Sequence, residues 1–336
     1  MEEKIQVESL YDELEKIPLE KKKEIKEICD KISSVKPFNS ELWKKYFLSW
    51  KEKDFMKAKH LRKIIISTTL DSINPQNLTY ELENGKNVKI CTKNEIIDQI
   101  ENTIKISHKE IEEIELPKRL YEKTNVEVIE KDCLMAAIEL KQQGFNPLIL
   151  NMANEKTPGG IYFLYQIIFF NFFLIKGSYL GTAGAQEENV MRRSTYSHCL
   201  DNKFKVCENK VLYPIEEFSG ILSKNVIVFR GEELEGYPFL ENPVNVNFIA
   251  FPACRRPKLV NKDRMTKEFE IKTTQKIDCL LSIAQKNNFD CLVLSSMGCG
   301  SFKNPPLHVI FNEILFWKIL KKLAFFNLSF IGCIDF

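Results

Sequence analysis

The chain has 336 residues, 44% of them hydrophobic, enough for a full core, and its length suits one large domain with an extension or two modest ones. A formal net charge of +2 gives no global electrostatic case for nucleic acid or an anionic membrane as the main partner, so any polyanion must be recognised locally. Ten cysteines form no C-x-x-C pair and the four histidines do not cluster with them; this argues against a zinc centre and for reduced thiols in a cytoplasmic or nuclear protein.

In chain order, the opening "MEEKIQVESLYDELEKIPLEKKKEIKEICDKI" is charged, helical in period and without an apolar h-region, so an ordinary secretory signal is not expected. Residues 1–55 read as a helical charged extension, its charges a solvated face with no assigned chemistry. From about Leu61, "LRKIIISTTL" changes the pattern and a polar, Asn-rich stretch follows; "IIDQIENTIKISHKEIEEIEL" has mixed periodicity and no firm assignment.

After Thr124 the pattern becomes regular: strand 125–130, helix 133–143 ending on Gly144, buried strand 147–153, and one helix over "AQEENVMRRSTYSHCL". Further strands are predicted at 225–230, 246–251, 290–296 and 328–334, with helices at about 266–287 and 306–323. Short apolar strands alternating with helices imply a mostly parallel sheet covered on both faces, with ligands bound beyond the carboxyl ends of the strands.

Two such ends carry glycine: "NEKTPGG" after the strand at 147–153 and "MGCGSFKNPP" after that at 290–296. Glycine lets main-chain N–H groups approach a phosphate, so the pair favours a diphosphate clamp, although each loop taken alone reads first as an ordinary turn. Neither is a Walker loop or a G-x-G-x-x-G turn. At "GAQEENVMRRS" the adjacent acids Glu187 and Glu188 suit the helix dipole as plain surface charges. About a hundred degrees apart on a helix, they also suit a cleft, one holding a sugar hydroxyl and the other, desolvated, passing a proton to a glycosidic oxygen.

Between the glycine turn and the acids lies the apolar run "IYFLYQIIFFNFFLIK", 161–176. It is shorter than the roughly 17 apolar residues of a spanning helix and contains Gln166 and Asn171, so no membrane span is expected. Removing it joins the flanks as "TPGGGSYLGTAGAQEENVMRRST": three glycines, a spacer, then Gln-Glu-Glu. This signature resembles that of the microbial-type poly(ADP-ribose) glycohydrolases, a catalytic branch related to macrodomains. "NVEVIEKDCLMAAIELKQQGFNPLILNMANEKTPGG", "NVIVFRGEELEG", "FIAFPACRRP" and "LVLSSMGCGSFKNPP" are similar to blocks of that family in the right order, and coverage runs from about residue 60 to the C-terminus.

The resemblance implies a macrodomain-like three-layer α/β/α fold with a mixed, mostly parallel central sheet, plus the helical N-terminal extension. Residues 56–336 would form the catalytic domain, interrupted at 161–176. The implied reaction is hydrolysis of ribose–ribose O-glycosidic bonds of poly(ADP-ribose), releasing ADP-ribose without cofactor or metal, in the reversal of ADP-ribosylation and the DNA damage response. Poly(ADP-ribose) or an ADP-ribosylated protein is the implied partner, acted on by a monomer. Glu188 would be the general acid/base, Glu187 would hold ribose hydroxyls and Gln186 would support them. Gly159, Gly160 and Gly177 would wrap the diphosphate; Gly298, Cys299, Gly300 and Phe302 match the second phosphate-side loop, with Phe302 packing on the ligand. Asn151 and Asn154 would bond a ribose, or be buried and turn-forming residues. Asp132 stands where macrodomains place an acid against adenine, or is the N-cap of helix 133–143.

Two other classes compete. A macrodomain-like module could bind ADP-ribose without hydrolysing it, because an insertion between the second and third glycines splits a loop whose geometry must be preorganised. An apolar hairpin could seek a membrane or a protein partner. The favoured origin of 161–176 is an unspliced in-frame intron: a Gly160 codon GGT followed by ATA and TAT would supply the start GTATAT, and Lys176–Gly177 the closing AG.

Overall fold

The computed structural model describes residues 18–112, 125–160, 163–165, 174–176, 179–208, 210–311 and 328–333. Helices α1 (Leu19–Ser34), α2 (Ser40–Lys51) and α3 (Arg62–Ser72) come first, then strands β1 (Thr79–Glu81) and β2 (Asn87–Lys89), helix α4 (Lys93–Glu101) and strands β3 (Ile104–Ile106) and β4 (Asn125–Glu127). Next are α5 (Cys133–Gln142), β5 (Pro147–Asn151), the short strands β6 (Phe163–Tyr165) and β7 (Leu174–Lys176), α6 (Gln186–Arg193) and α7 (Tyr196–Leu200). The chain continues through β8 (Gly220–Arg230), β9 (Phe239–Ala250), β10 (Leu259–Asn261), β11 (Arg264–Met265), α8 (Lys267–Lys286), β12 (Cys291–Ser295), α9 (Pro306–Phe311) and β13 (Leu328–Cys333).

Seven strands form one sheet in the order β3-β8-β9-β5-β12-β13-β4. β9, β5, β12, β13 and β4 run parallel to one another, while β3–β8 and β8–β9 pair antiparallel. The central strands bury both faces, which is why they read as unbroken apolar runs. Alternation then sorts the side chains. Ile149, Phe248 and Val293 pack with Leu134, Ile138, Val190 and Tyr196 from α5, α6 and α7. Leu148, Leu150, Ile249 and Leu292 pack with Ile277, Leu281 and Ala284 of α8 on the other face. The result is the three-layer α/β/α arrangement, with a mixed, mostly parallel sheet.

The unassigned region after Leu61 resolves into α3, the β1–β2 hairpin, α4 and β3. Thr92 caps α4 in a full capping box with Glu95, a signal present in "TKNE". Helix α2 is more than a solvated face: Trp43 and Phe47, one turn apart, are fully buried with Leu61, Ile64, Ile65 and Tyr237. The single helix expected over 185–200 is two. Ser194 is extended (φ −149°) and bridges Val228, while the Thr195 hydroxyl accepts from Ile227 N (3.0 Å) and donates to Gln99 Oε1 (2.8 Å). Short hydroxyl side chains here give the backbone a better set of partners on β8 than a continued helix would.

Candidate active site

Because β9, β5 and β12 are adjacent and parallel, the loops that follow them leave the same edge of the sheet. The first turn of α6 closes on the exit of β5. Gln186 extends the strand edge, its Oε1 accepting from Met152 N (2.8 Å) and its Nε2 donating to Leu150 O (2.7 Å). Glu187 is 3% exposed; one carboxylate oxygen accepts from Asn151 Nδ2 (3.3 Å) and the other from Asn154 N (3.0 Å). Burial, with the neighbouring Glu188 charge, pushes the Glu187 carboxyl up to about 8. Glu188 is 6% exposed, and its Oε2 is buried with no hydrogen-bond partner in the protein. Burial raises its pKa too, opposed by the charges of Arg192 and Arg62. One carboxyl of the pair is thus fully engaged by the scaffold, and the other keeps an oxygen for something else.

The glycine turn lies against this pair. Gly159 (φ +66°) and Gly160 (φ +90°) are left-handed. A Cβ on Gly159 would stand 2.5 Å from the Tyr179 ring and 2.7 Å from Met191 Sδ, so glycine is required for both conformation and space. Tyr179 N donates to Gly159 O (2.8 Å), joining the two flanks of the 161–176 insertion directly. β6 and β7 pair antiparallel, Phe163 opposite Lys176, so the chain leaves and returns through one ladder. The described flanks are thus held together across the insertion. Gly177 lies outside the described residues.

Asn154 forms the turn, its Oδ1 accepting from Lys156 N (2.8 Å) and Thr157 N (3.2 Å), while Asn151 is wholly buried against Glu187. Asp132 caps α5 through Leu134 N and Met135 N (3.0 Å each) and also holds Arg193 in a two-pronged pair (2.6 and 2.9 Å). Burial disfavours its charge, but the Arg193 guanidinium outweighs it and keeps the carboxyl below its usual value. On the β12 loop, Gly298 (φ +78°) sits where a Cβ would strike Asn304 and Ala253. Asn304 Nδ2 binds Cys254 O (2.7 Å) and Gly298 O (3.0 Å), and Arg256 N binds Phe302 O (2.7 Å). Phe302 and Cys299 are half-buried; burial pushes the Cys299 thiol up to about 11, leaving little thiolate at neutral pH. Open space surrounds Gly300, which needs no glycine for steric reasons.

Two arginines beyond the Gln-Glu-Glu signature frame the acids. Arg62 grips Glu233 with Nε and Nη2 (2.7 and 2.8 Å) and donates to Thr182 O (3.0 Å). Arg192, fully buried, donates to Ala183 O and Gly181 O. Together they hold the carbonyls of the segment that leads into Glu187 and Glu188, and a Cβ on Gly184 would collide with the Arg62 guanidinium. The i, i+4 spacing of Glu188 and Arg192 was the available signal for one of them. Among the described residues there is no group of three or more His, Cys, Asp or Glu able to hold a metal ion, and no helix is long and apolar enough to cross a membrane.

A buried acid pair at a helix start thus lies against a double-glycine turn at the carboxyl edge of a three-layer α/β/α sheet. The profile of the family described as microbial-type PARG, catalytic domain, where PARG is poly(ADP-ribose) glycohydrolase, matches residues 67–164 and 175–231 and pauses inside the insertion. Over those residues, a little under half of the chain, the sequence matches the microbial-type PARG family.

Solved structures agree on the fold. Poly(ADP-ribose) glycohydrolase from Thermomonospora curvata bound to the inhibitor ADP-HPD is 24% identical, with a TM-score of 0.60 over 81% of this chain and 93% of that one. A second structure of the Thermomonospora curvata enzyme is 22% identical with a TM-score of 0.61 over the same shares. The Deinococcus radiodurans enzyme in complex with ADP-ribose is 24% identical, with a TM-score of 0.52 over 70% and 89%. No protein of curated function matches the chain.

Proposed function

We propose that this chain hydrolyses poly(ADP-ribose) at its ribose–ribose O-glycosidic bonds, with Glu188 as the acid/base. The observation that supports Glu188 over its neighbour is the buried Oε2 without a protein partner, beside a Glu187 whose oxygens already accept from Asn151 and Asn154. Burial keeps Glu188 protonated to a higher pH than an ordinary carboxyl, and the acid gives its proton to the departing ribose oxygen as an oxocarbenium-like centre develops. The carboxylate then takes a proton from water, whose oxygen bonds to the anomeric carbon, and the acid is restored. Glu187, backed by Asn151 and Asn154, orients ribose hydroxyls. Gly159 and Gly160 present main chain to the diphosphate, and Phe302 packs on the ligand. Asp132, Gly177, Gly298, Cys299 and Gly300 belong to the same proposed substrate surface. Residues 161–176 have no part in these steps; sequencing the mature transcript across Gly160 to Gly177 tests their origin as a retained intron.

The test is ADP-ribose release from poly(ADP-ribose), measured for the full chain and for the chain lacking 161–176. Glu188→Gln should lower turnover by about 10²- to 10⁴-fold with polymer binding retained. Unchanged turnover in that variant rules out Glu188 as the acid, and polymer binding without any cleavage in the parent would make the chain a reader of ADP-ribose.

A further inference from the structure

Between Arg255 and Lys267 the chain carries six cations and one acid, in a protein whose net charge is only +2, so the remainder is slightly acidic. This segment is the loop after β9 and the β10–β11 hairpin, and its placement is specific. It leaves the same sheet edge as the glycine turn after β5 and the Gly298 loop after β12. It is fastened to both. Arg255 pairs with Glu155 in the glycine turn (3.5 Å), while Arg256 N binds Phe302 O (2.7 Å) and Cys254 O accepts from Asn304 (2.7 Å) in the other loop. Thr266 N returns to Lys258 O (2.9 Å), and Met265 N binds His308 Nδ1 (2.8 Å), so the hairpin is anchored at its base. Lys258, Lys262 and Arg264 project from it as exposed residues, joined by exposed Lys303 from the Gly298 loop. Among the described residues none of these four makes an ion pair. Leu259 and Val260, 41% and 68% exposed, add apolar surface between the charges.

We infer that this strap is a second binding subsite that receives the diphosphate of the ADP-ribose unit adjoining the one held at Glu188, so that the enzyme grips the polymer and not only the unit being released. The inference rests on the function proposed above. Unpaired cations clustered beside a cleft raise the local concentration of an anionic ligand. A chain with two phosphates per unit suits charges spread along a hairpin, and the exposed Leu259 and Val260 give its purines a surface to lie on.

The experiment compares the full chain with a triple variant, Lys258→Gln, Lys262→Gln and Arg264→Gln, none of them in the catalytic machinery. Binding of long-chain poly(ADP-ribose) and of monomeric ADP-ribose is measured across a salt series, both proteins carrying Glu188→Gln to prevent cleavage. Expected are a loss of about tenfold or more in polymer affinity at low salt, a slope of log K against log salt shallower by about 2, and unchanged affinity for the monomer. Unchanged polymer affinity, or equal losses for polymer and monomer, would overturn the subsite. Competition by single-stranded DNA of equal charge, as effective as the polymer itself, would make the strap a general polyanion surface and overturn it as well. A parent that binds neither polymer nor monomer refutes the proposed function, and the subsite with it.

Discussion

Replacing Glu187 by Gln should change how the stability of the protein depends on pH. Glu187 is buried, with its carboxyl raised from 4.5 to about 8 by burial and by Glu188. A folded-state pKa above the unfolded value means that the native state binds the extra proton, so the stabilisation is complete below about pH 4.5 and is lost as pH rises through 8. At about 1.4 kcal/mol per pH unit the full traverse amounts to about 5 kcal/mol. Gln preserves size and polarity but cannot titrate, and the Asn151 amide can turn to meet its NH2 group. The assay is urea unfolding of the parent and Glu187→Gln at pH 5 and pH 8. Between these two pH values about 3.5 kcal/mol of that stabilisation is lost, so with a slope of about 2–3 kcal/mol per molar urea the parent should lose about 1.5 M in midpoint, and the variant less than half of that. Parallel profiles for the two proteins would show that Glu187 does not hold a proton in the fold.

Arg62→Ala should cost about 3 kcal/mol by leaving half-buried Glu233 with only the Tyr237 hydroxyl as partner, whereas Arg62→Met combined with Glu233→Leu should recover much of the loss in a denaturant titration. Gly159→Ala should abolish turnover and lower the melting temperature, since the left-handed conformation and the Tyr179 ring both resist a methyl group; Gly300→Ala should do neither, and equal effects of the two would contradict the geometry. Asp132→Asn retains a helix cap but loses the charge facing Arg193, and should destabilise by about 3 kcal/mol as read by thermal unfolding. In a pH–rate profile, turnover should fall as pH rises through the raised pKa of Glu188, because the general acid is then lost; a rate that climbs steadily with pH would exclude it.

The α/β alternation was legible because β5, β12 and the second half of β9 are buried on both faces and read as short apolar runs. The Gln186–Glu188 signature, with the glycines before it, pointed to residues that the structure brings together as the candidate site. Less legible was whatever depends on partners distant in sequence. Arg62 lies 171 residues from Glu233, and no local pattern announces their pairing. The break at Ser194 arises because β8 supplies hydrogen bonds that helix periodicity does not reveal. Asp132 could be read as a cap or as a ligand contact from sequence; the structure shows the cap, and adds an ion pair with Arg193 that no local pattern announces. Trp43 and Phe47 lay within a charge-rich text whose average polarity masked a buried stripe.

The bond between Tyr179 N and Gly159 O, continued by the β6–β7 ladder, gives the glycine turn a neck. Once a neck is closed, the entropy of closing a flexible excursion beyond it grows only logarithmically, by about 0.6 kcal/mol for each doubling of length. The turn therefore works as a port: extra sequence can enter and leave through a single point while the register of the acids on α6 is set on the other side by Arg62 and Arg192. In evolutionary terms, length at this position is cheap to vary, and the selective burden falls on the few residues that tie the neck.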